Sequence, residues 1–273
     1  MPVETVPRPR RWLQRRRDDL RLGLGLGLLG VICTGWTVIA VPLHYVLPKR
    51  WHRTLGRRAT TGFTRFYLRA LTAMGACRFE LAELDGLRAE GPLILAPNHP
   101  CLLDALMVIS RLPNVACIVK ADIVDNVLFG AGARLAGYIR NDARLSMIKQ
   151  SVAELKNGSH LLVFPEGTRT VRWPVNPCKG TPALIASRAK VPIQTLFIET
   201  DSAFLGKNWP LSRCPAFPVT YRIRLGRRFE PQDKAGVLTA ALEHYFIAQL
   251  RDAPRFLPPE APQAEERGAA QPS

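Results

Sequence analysis

The chain has 273 residues, 47% of them hydrophobic, with 38 lysines and arginines against 22 aspartates and glutamates, a net charge of +16 and a pI near 10.3. That length and apolar content fit one large domain plus an appendage, and the charge directs the protein toward a polyanion, either nucleic acid or an anionic membrane surface. The six cysteines, at 33, 77, 101, 117, 178 and 214, show no CxxC pair and no zinc spacing; they read as reduced thiols of a cytosol-facing protein, and no metal site is expected.

Seven arginines fall between residues 8 and 21, so 1–21 reads as a basic arm. Residues 22–48, LGLGLGLLGVICTGWTVIAVPLHYVLP, then carry no Lys, Arg, Asp or Glu. A helix of that length can cross a hydrocarbon core of about 30 Å. The run is long for a cleaved leader, and no small-residue cleavage site stands at its end. Lys49, Arg50, Arg53, Arg57 and Arg58 follow it, so both flanks carry charge that favours the cytosolic side. With Pro42 and Pro48 available for a bend, the segment is expected to enter the bilayer and return, or to lie deep in one leaflet. A single span is the competing arrangement. Residues 51–75 mix Trp, Phe, Tyr and Leu with arginines, which suits an amphipathic helix on anionic headgroups or one packed on the domain. Together, 22–75 forms a membrane-associated helical segment. Aromatics among arginines also suit RNA, but no RNP, KH or zinc-finger pattern follows, and nucleic acid is not the expected partner.

Composition shifts near residue 78, and 76–257 reads as the catalytic domain. CRFELAEL reads as a strand, PLILAP (92–97) as a short buried one, PCLLDALMVISRL as a helix and VACIVK (115–120) as a strand. Residues 125–137 and 142–157 read as helices, the second with Leu145, Ile148, Val152 and Leu155 on its apolar face. HLLVFP (160–165), VPIQTLFIE and VTYRIRLG (219–226) read as strands; 180–190 and 234–251 read as helices. Alternating strands and helices give an α/β class. The Pro-, Ala-, Gln- and Glu-rich tail, 258–273, is expected to be disordered.

His99 stands just past a short buried strand, where ligands gather in open α/β sheets, and Asp104 falls in the first turn of the next helix. That turn can return the carboxylate to one imidazole nitrogen, leaving the other free as a general base. The same pair also fits a capping histidine beside a surface aspartate. There is no GxSxG elbow, so a catalytic reading requires the substrate to bring its own hydroxyl. A second constellation, VFPEGTRT (163–170), follows another buried strand. Gly167 permits close backbone approach. Arg169 offers a planar fork suited to phosphate, and the loop around Thr168 adds N–H donors. Glu166 can orient the arginine or accept from an acceptor hydroxyl.

His99 to Asp104 resembles the NHxxxxD box of the glycerophospholipid acyltransferases. FPEGTRT resembles their FPEGTRS box, with Thr170 for the usual serine. GYIRN (137–141), which contains Arg140, resembles the GxxxxR box, and VPI (191–193) the start of the fourth box. The resemblance spans about residues 50–225 and is greatest to the 1-acylglycerol-3-phosphate acyltransferase branch. It implies an α/β acyltransferase domain with a mixed central sheet flanked by helices. It implies that His99 deprotonates the acceptor hydroxyl, with Asp104 in support, for attack on the thioester of acyl-CoA or acyl carrier protein, with no metal or other cofactor. It implies Lys120 and Arg169 as phosphate ligands, with Arg140, Glu166, Gly167 and Thr168 also on the substrate side. Lys179 and Gly180 echo a family Lys-Gly pair, in a segment, NPCKGTP, that departs from the usual pattern. The implied acceptor is a lysophospholipid, lysophosphatidate first, at the cytosolic face of a membrane (the inner membrane if bacterial). The fourth box continues QTLFIETD, less aliphatic than usual, which points to an altered acceptor pocket and to family members that modify ornithine lipids or polyene-type lipids. A non-catalytic membrane-binding protein is the remaining reading of the charge and the apolar segment.

Overall fold

A computed structural model describes residues 12–126 and 130–251. The expected disordered tail and residues 1–11 of the arm lie outside the described residues.

Helix α1 (Trp12–Val46) is one helix of 35 residues. It begins ahead of the apolar run because Leu, Gln and Arg favour helix and nothing there breaks it. It also runs through Pro42. The ring removes one helical donor, the one that would serve the Val38 carbonyl, yet the helix continues. Pro42 does not bend the segment back; the chain reverses at Leu47 and Pro48, the second of its two prolines, and the returning limb is α2 (Lys49–Ala73). The two limbs run antiparallel. Trp36 meets Phe63 with ring centroids 5.1 Å apart, His44 meets His52 at 5.0 Å, and Gly25 faces Leu71. By length and composition α1 can cross a membrane; its most apolar stretch has a mean hydropathy of 2.1 and is only 11% buried.

Helix α2 turns Thr61, Thr64, Tyr67, Leu68 and Leu71 inward at helical spacing. Arg57 also points inward and is 4% exposed. Its guanidinium donates to the Ala136 carbonyl at 3.0 Å, Asn114 Oδ1 at 3.0 Å, Ser159 Oγ at 2.8 Å and Glu154 Oε2 at 2.7 Å. Arg53 takes the other Glu154 oxygen at 2.8 Å. Arg57 is thus not a headgroup charge, as its place in the flank suggested. It is a satisfied buried group that fastens α2 to the domain, and removing one partner of such a pair costs about 3–5 kcal/mol.

The domain continues with β1 (Cys77–Glu80), a 3-10 stretch (Ala82–Ala89), β2 (Ile94–Pro97), α3 (Asp104–Arg111), β3 (Val115–Val119), α4 (Ala121–Asp125), α5 (Gly130–Leu135), β4 (Ile139–Arg140), α6 (Arg144–Lys156), β5 (His160–Leu162), α7 (Thr181–Ala189), β6 (Ile193–Thr200), β7 (Val219–Phe229) and α8 (Ala235–Leu250). The strand expected over CRFELAEL ends at Glu80. Leu84 and Leu87, three apart and both buried, suit the period of a 3-10 turn. In α6, Ile148 and Leu155 are buried but Leu145 is 73% exposed, because the helix has only begun there.

The strands form one mixed sheet in the order β1-β7-β6-β2-β5-β3-β4, antiparallel only between β6 and β7. Alternate residues feed two cores. Leu95, Leu162, Leu196 and Ile198 join α2 and α3 on one face, while Ile94, Leu161 and Ile193 join α6, α7 and α8 on the other. Each fully buried Leu or Ile contributes about 1.5–3 kcal/mol. Because β2, β3, β4, β5 and β6 are joined by parallel pairings, their carboxyl ends open on one edge, and the loops after them meet there.

Candidate active site

The loop after β2 carries Asn98 and His99. Asn98 replaces a strand residue: its Nδ2 donates to the Ile198 carbonyl at 3.0 Å and its Oδ1 accepts from the Ile198 N–H at 2.7 Å. This pins the loop to β6 and directs His99 outward. Asp104, the first residue of α3, is fully buried, and its Oδ2 lies 2.7 Å from His99 Nδ1. With the carboxylate ionised, Nδ1 carries the proton. Nε2 has no hydrogen-bond partner among the described residues, and the His99 side chain is 18% exposed. Asp104 Oδ2 also accepts from the Cys101 N–H at 2.9 Å, and Oδ1 from the Cys101 thiol at 2.9 Å. Burial, and then the Asp104 charge, hold that thiol well above its usual range, so it stays protonated. Phe164 stacks on the imidazole with centroids 3.8 Å apart. Sequence reasoning passed over both Cys101 and Phe164; each stands inside a motif whose other residues drew the attention.

The loop after β5 is tied to this pair from beneath. Glu166 is 2% exposed, and it neither orients Arg169 nor faces the cavity as expected. Its Oε1 accepts from the His99 N–H at 2.9 Å and Thr170 Oγ1 at 2.8 Å, and its Oε2 from the Asn176 N–H at 2.8 Å. The Thr170 N–H donates to the His99 carbonyl at 2.7 Å. One buried carboxylate therefore joins the two motifs. Desolvation raises its pKa above the ordinary value, against the pull of those three donors.

His99 opens into a cavity of about 410 Å³, with an apolar wall that includes Leu102, Ile118, Val119 and Ile123. Lys120, Gly167, Thr168, Arg169, Lys179 and Lys207 also line it, and no carboxylate does among the described residues. Gly167 has φ +68, and a Cβ there would stand 2.6 Å from Lys179 Nζ. Arg169 Nη1 donates to the carbonyls of Leu205 at 2.8 Å and Gly206 at 2.9 Å. Arg140 is not brought in. Its guanidinium sits on Asp125 at 2.6 Å and Asp142 at 2.8 Å, while the neighbouring Asn141 lines the cavity. Lys207 was not anticipated. Only the parallel pairing of β6 with β2, which the fold supplies, brings its loop to this edge.

The fourth-box departure does not reach the cavity. Gln194 donates to the Gly226 carbonyl at 2.7 Å and Thr195 to the Arg227 carbonyl at 2.7 Å, where the β6–β7 register shifts. These polar side chains bind the two strands at an irregularity, so they give no reason for an altered acceptor pocket. A larger groove of about 740 Å³ lies between α2, β1 and β7, away from His99. Three of its arginines are committed, Arg65 to the Ser110 carbonyl, Arg111 to Asp85 and Arg222 to Glu80.

The protein-family description Acyltransferase matches residues 42–199, more than half of the chain. The chain belongs to the acyltransferase family. Among similar proteins, the human 1-acyl-sn-glycerol-3-phosphate acyltransferase beta is 25% identical over 176 residues, 62% of this chain and 62% of its own length. A chloroplastic 1-acyl-sn-glycerol-3-phosphate acyltransferase of Brassica napus is 23% identical over 201 residues, 70% of this chain and 56% of its own length. The chain thus spans less than two thirds of either relative. The crystal structure of the 1-acyl-sn-glycerophosphate (LPA) acyltransferase PlsC from Thermotoga maritima shares the fold, with a TM-score of 0.64 and 16% identity over 87% of this chain and 96% of that one. The acyltransferase match begins within α1 and ends in β6, and so takes in every motif residue around the cavity.

Proposed function

We propose that this acyltransferase-family protein transfers a fatty acyl group from acyl-CoA or acyl carrier protein to the free hydroxyl of lysophosphatidate, giving phosphatidate. The observation that carries this reading is the 2.7 Å contact between His99 Nδ1 and the buried Asp104, set at a cavity whose charged lining, among the described residues, is cationic. His99 Nε2 takes the proton from the acceptor hydroxyl as its oxygen attacks the thioester carbonyl. The C–O bond forms and the C–S bond breaks. The imidazolium, stabilised by Asp104, returns the proton to the leaving thiolate. The cations offset the phosphate of the acceptor. A non-catalytic membrane-binding module has no use for this buried pair.

The reading includes the membrane. Helix α1 lies along α2 from Gly25 to His44, and α2 is fastened to the domain through Arg57, so a perpendicular span by α1 alone would tear that packing. Its outward residues, among them Val31, Val38, Tyr45 and Val46, suit burial in one leaflet, with the exposed Arg58 and Arg69 of α2 toward the headgroups and His99 on the cytosolic side where the donor thioester is found. The test is complementation of a strain with a conditional lysophosphatidate acyltransferase defect, with lipids read by mass spectrometry. Rescue with new phosphatidate is expected. A new acylated lipid without rescue would replace the acceptor, and neither rescue nor new lipid would overturn the reading.

A further inference from the structure

The connection from β6 to β7, residues 201–218, lies beyond the motif boxes apart from Asp201, yet it delivers a cation to the cavity. Because β6 is parallel to β2, this loop starts at the same sheet edge as His99. Leu205 has φ +60, a left-handed conformation that costs a non-glycine residue about 1–2 kcal/mol. Two donors hold it there: the Leu102 N–H at 3.1 Å and Arg169 Nη1 at 2.8 Å, both on the Leu205 carbonyl. Arg169 also holds the next carbonyl, Gly206. Lys207 follows directly. It is exposed, lines the cavity, and has no acidic partner among the described residues.

We propose that Lys207 is a phosphate-binding residue of this cavity and that Arg169 acts on the phosphate through the loop it clamps. The inference rests on the acyl-transfer reading above. Arg169 spends one guanidinium nitrogen on two backbone carbonyls, so its fork is not wholly available for the bidentate grip that the motif suggests. Lys207, Lys120 and Lys179 arrive from three different loops, and among the described residues no carboxylate lines the cavity beside them. A phosphate monoester, with a charge near −2, suits such a set. Two co-substrates can supply that group, the acceptor lipid and the 3′-phosphate of coenzyme A. The cavity that Lys207 lines contains Nε2 of His99, the atom that receives the acceptor's proton, and this favours the acceptor.

The test is steady-state kinetics on the purified full chain with lysophosphatidate and acyl-CoA, for Lys207→Ala, Lys207→Arg, Arg169→Ala and the double variant. Lys207→Ala should raise the acceptor KM about ten- to a hundredfold, with kcat and the donor KM nearly unchanged, and Lys207→Arg should recover most of the loss. Arg169→Ala should raise the acceptor KM similarly. If it acts through Lys207, the double variant should be no worse than the worse single one. An unchanged acceptor KM in Lys207→Ala, a rise confined to the donor, or full additivity would overturn the proposal. A wild-type chain that fails to acylate lysophosphatidate would overturn the functional reading instead, so the two failures are distinguishable.

Discussion

His99 and Lys207 face the same cavity, but the protein holds them in opposite ways. The imidazole rests on a fully buried carboxylate and under a phenylalanine ring, and its own backbone N–H is fixed by Glu166. Lys207, like Lys120 and Lys179, is an exposed side chain with no such scaffold. What fixes the cations is the backbone of the loops that bear them. The centre therefore has one geometry, suited to moving a proton along a fixed line, and the rim has latitude, suited to attracting a charged group that must enter and leave. Substitutions in the centre should act on kcat and those on the rim on KM.

The largest expected effect tests the centre. His99→Ala removes the general base and should lower kcat by about 10²–10⁴-fold, with thermal unfolding near that of wild type because the ring gives up only one side-chain bond. Asp104→Asn should be nearly as damaging. Its amide has one acceptor oxygen where three donors now meet the carboxylate, and the ring loses the charge that stabilises its protonated form. Turnover of purified His99→Ala at the wild-type rate would end the division between centre and rim.

Glu166 sharpens the comparison because it sits beneath both regions without touching the cavity. Glu166→Ala leaves three donors unpaired, two of them in buried bonds that cost about 1–3 kcal/mol each to lose, and should lower both stability and kcat. Glu166→Gln should retain more activity and supplies a signature in pH. Burial raises the folded-state pKa of Glu166 above its ordinary value of 4.5. A raised pKa means that the folded state favours the proton. The stability it contributes is complete below 4.5 and is lost as pH rises through the folded value. Chemical denaturation at pH 4 and pH 7 should show wild type losing stability relative to Glu166→Gln over that interval. A parallel pH dependence would mean that the carboxyl is not held as described.

The chain announces the centre more openly than the rim, for a physical reason. His99 and Asp104 are joined by one tight turn, so their spacing is a property of the local chain, and the short apolar runs before them are strands because both sheet faces are covered. Glu166 is visible as a residue, but its role depends on donors at His99 and Asn176, which only the fold brings under it. Lys207 lies in a loop whose length and turns carry no periodic pattern; its position follows from the direction of β6, and parallel pairing is not written in any local stretch. Arg140 and Arg57 show the converse. Their guanidinium groups suit a ligand, but acidic partners already satisfy them, Asp125 and the nearby Asp142 for one and Glu154, distant in sequence, for the other. The α1–α2 hairpin was half legible: composition marks the apolar limb, whereas the turn falls at its end because a proline inside a long helix does not suffice to reverse it.

The smallest expected effect concerns Cys101, which belongs to the centre by contact but adds least to it. Its thiol donates to Asp104 Oδ1 at 2.9 Å, and its side chain is 1% exposed. Burial keeps the thiol protonated at any working pH, so it is a weak donor and not a nucleophile. In Cys101→Ala, Asp104 Oδ2 keeps both of its donors, and only the second oxygen loses its partner. A hydrogen bond of this kind is worth about 0.5–1.5 kcal/mol, which corresponds to a two- to tenfold fall in kcat. Cys101→Ser should sit nearer wild type, because its hydroxyl can donate to the same oxygen. Neither variant should change the acceptor KM, since the thiol does not line the cavity. A loss in Cys101→Ala as deep as that in Asp104→Asn would give the thiol a part in the chemistry and break the account of the centre as a single imidazole–carboxylate pair.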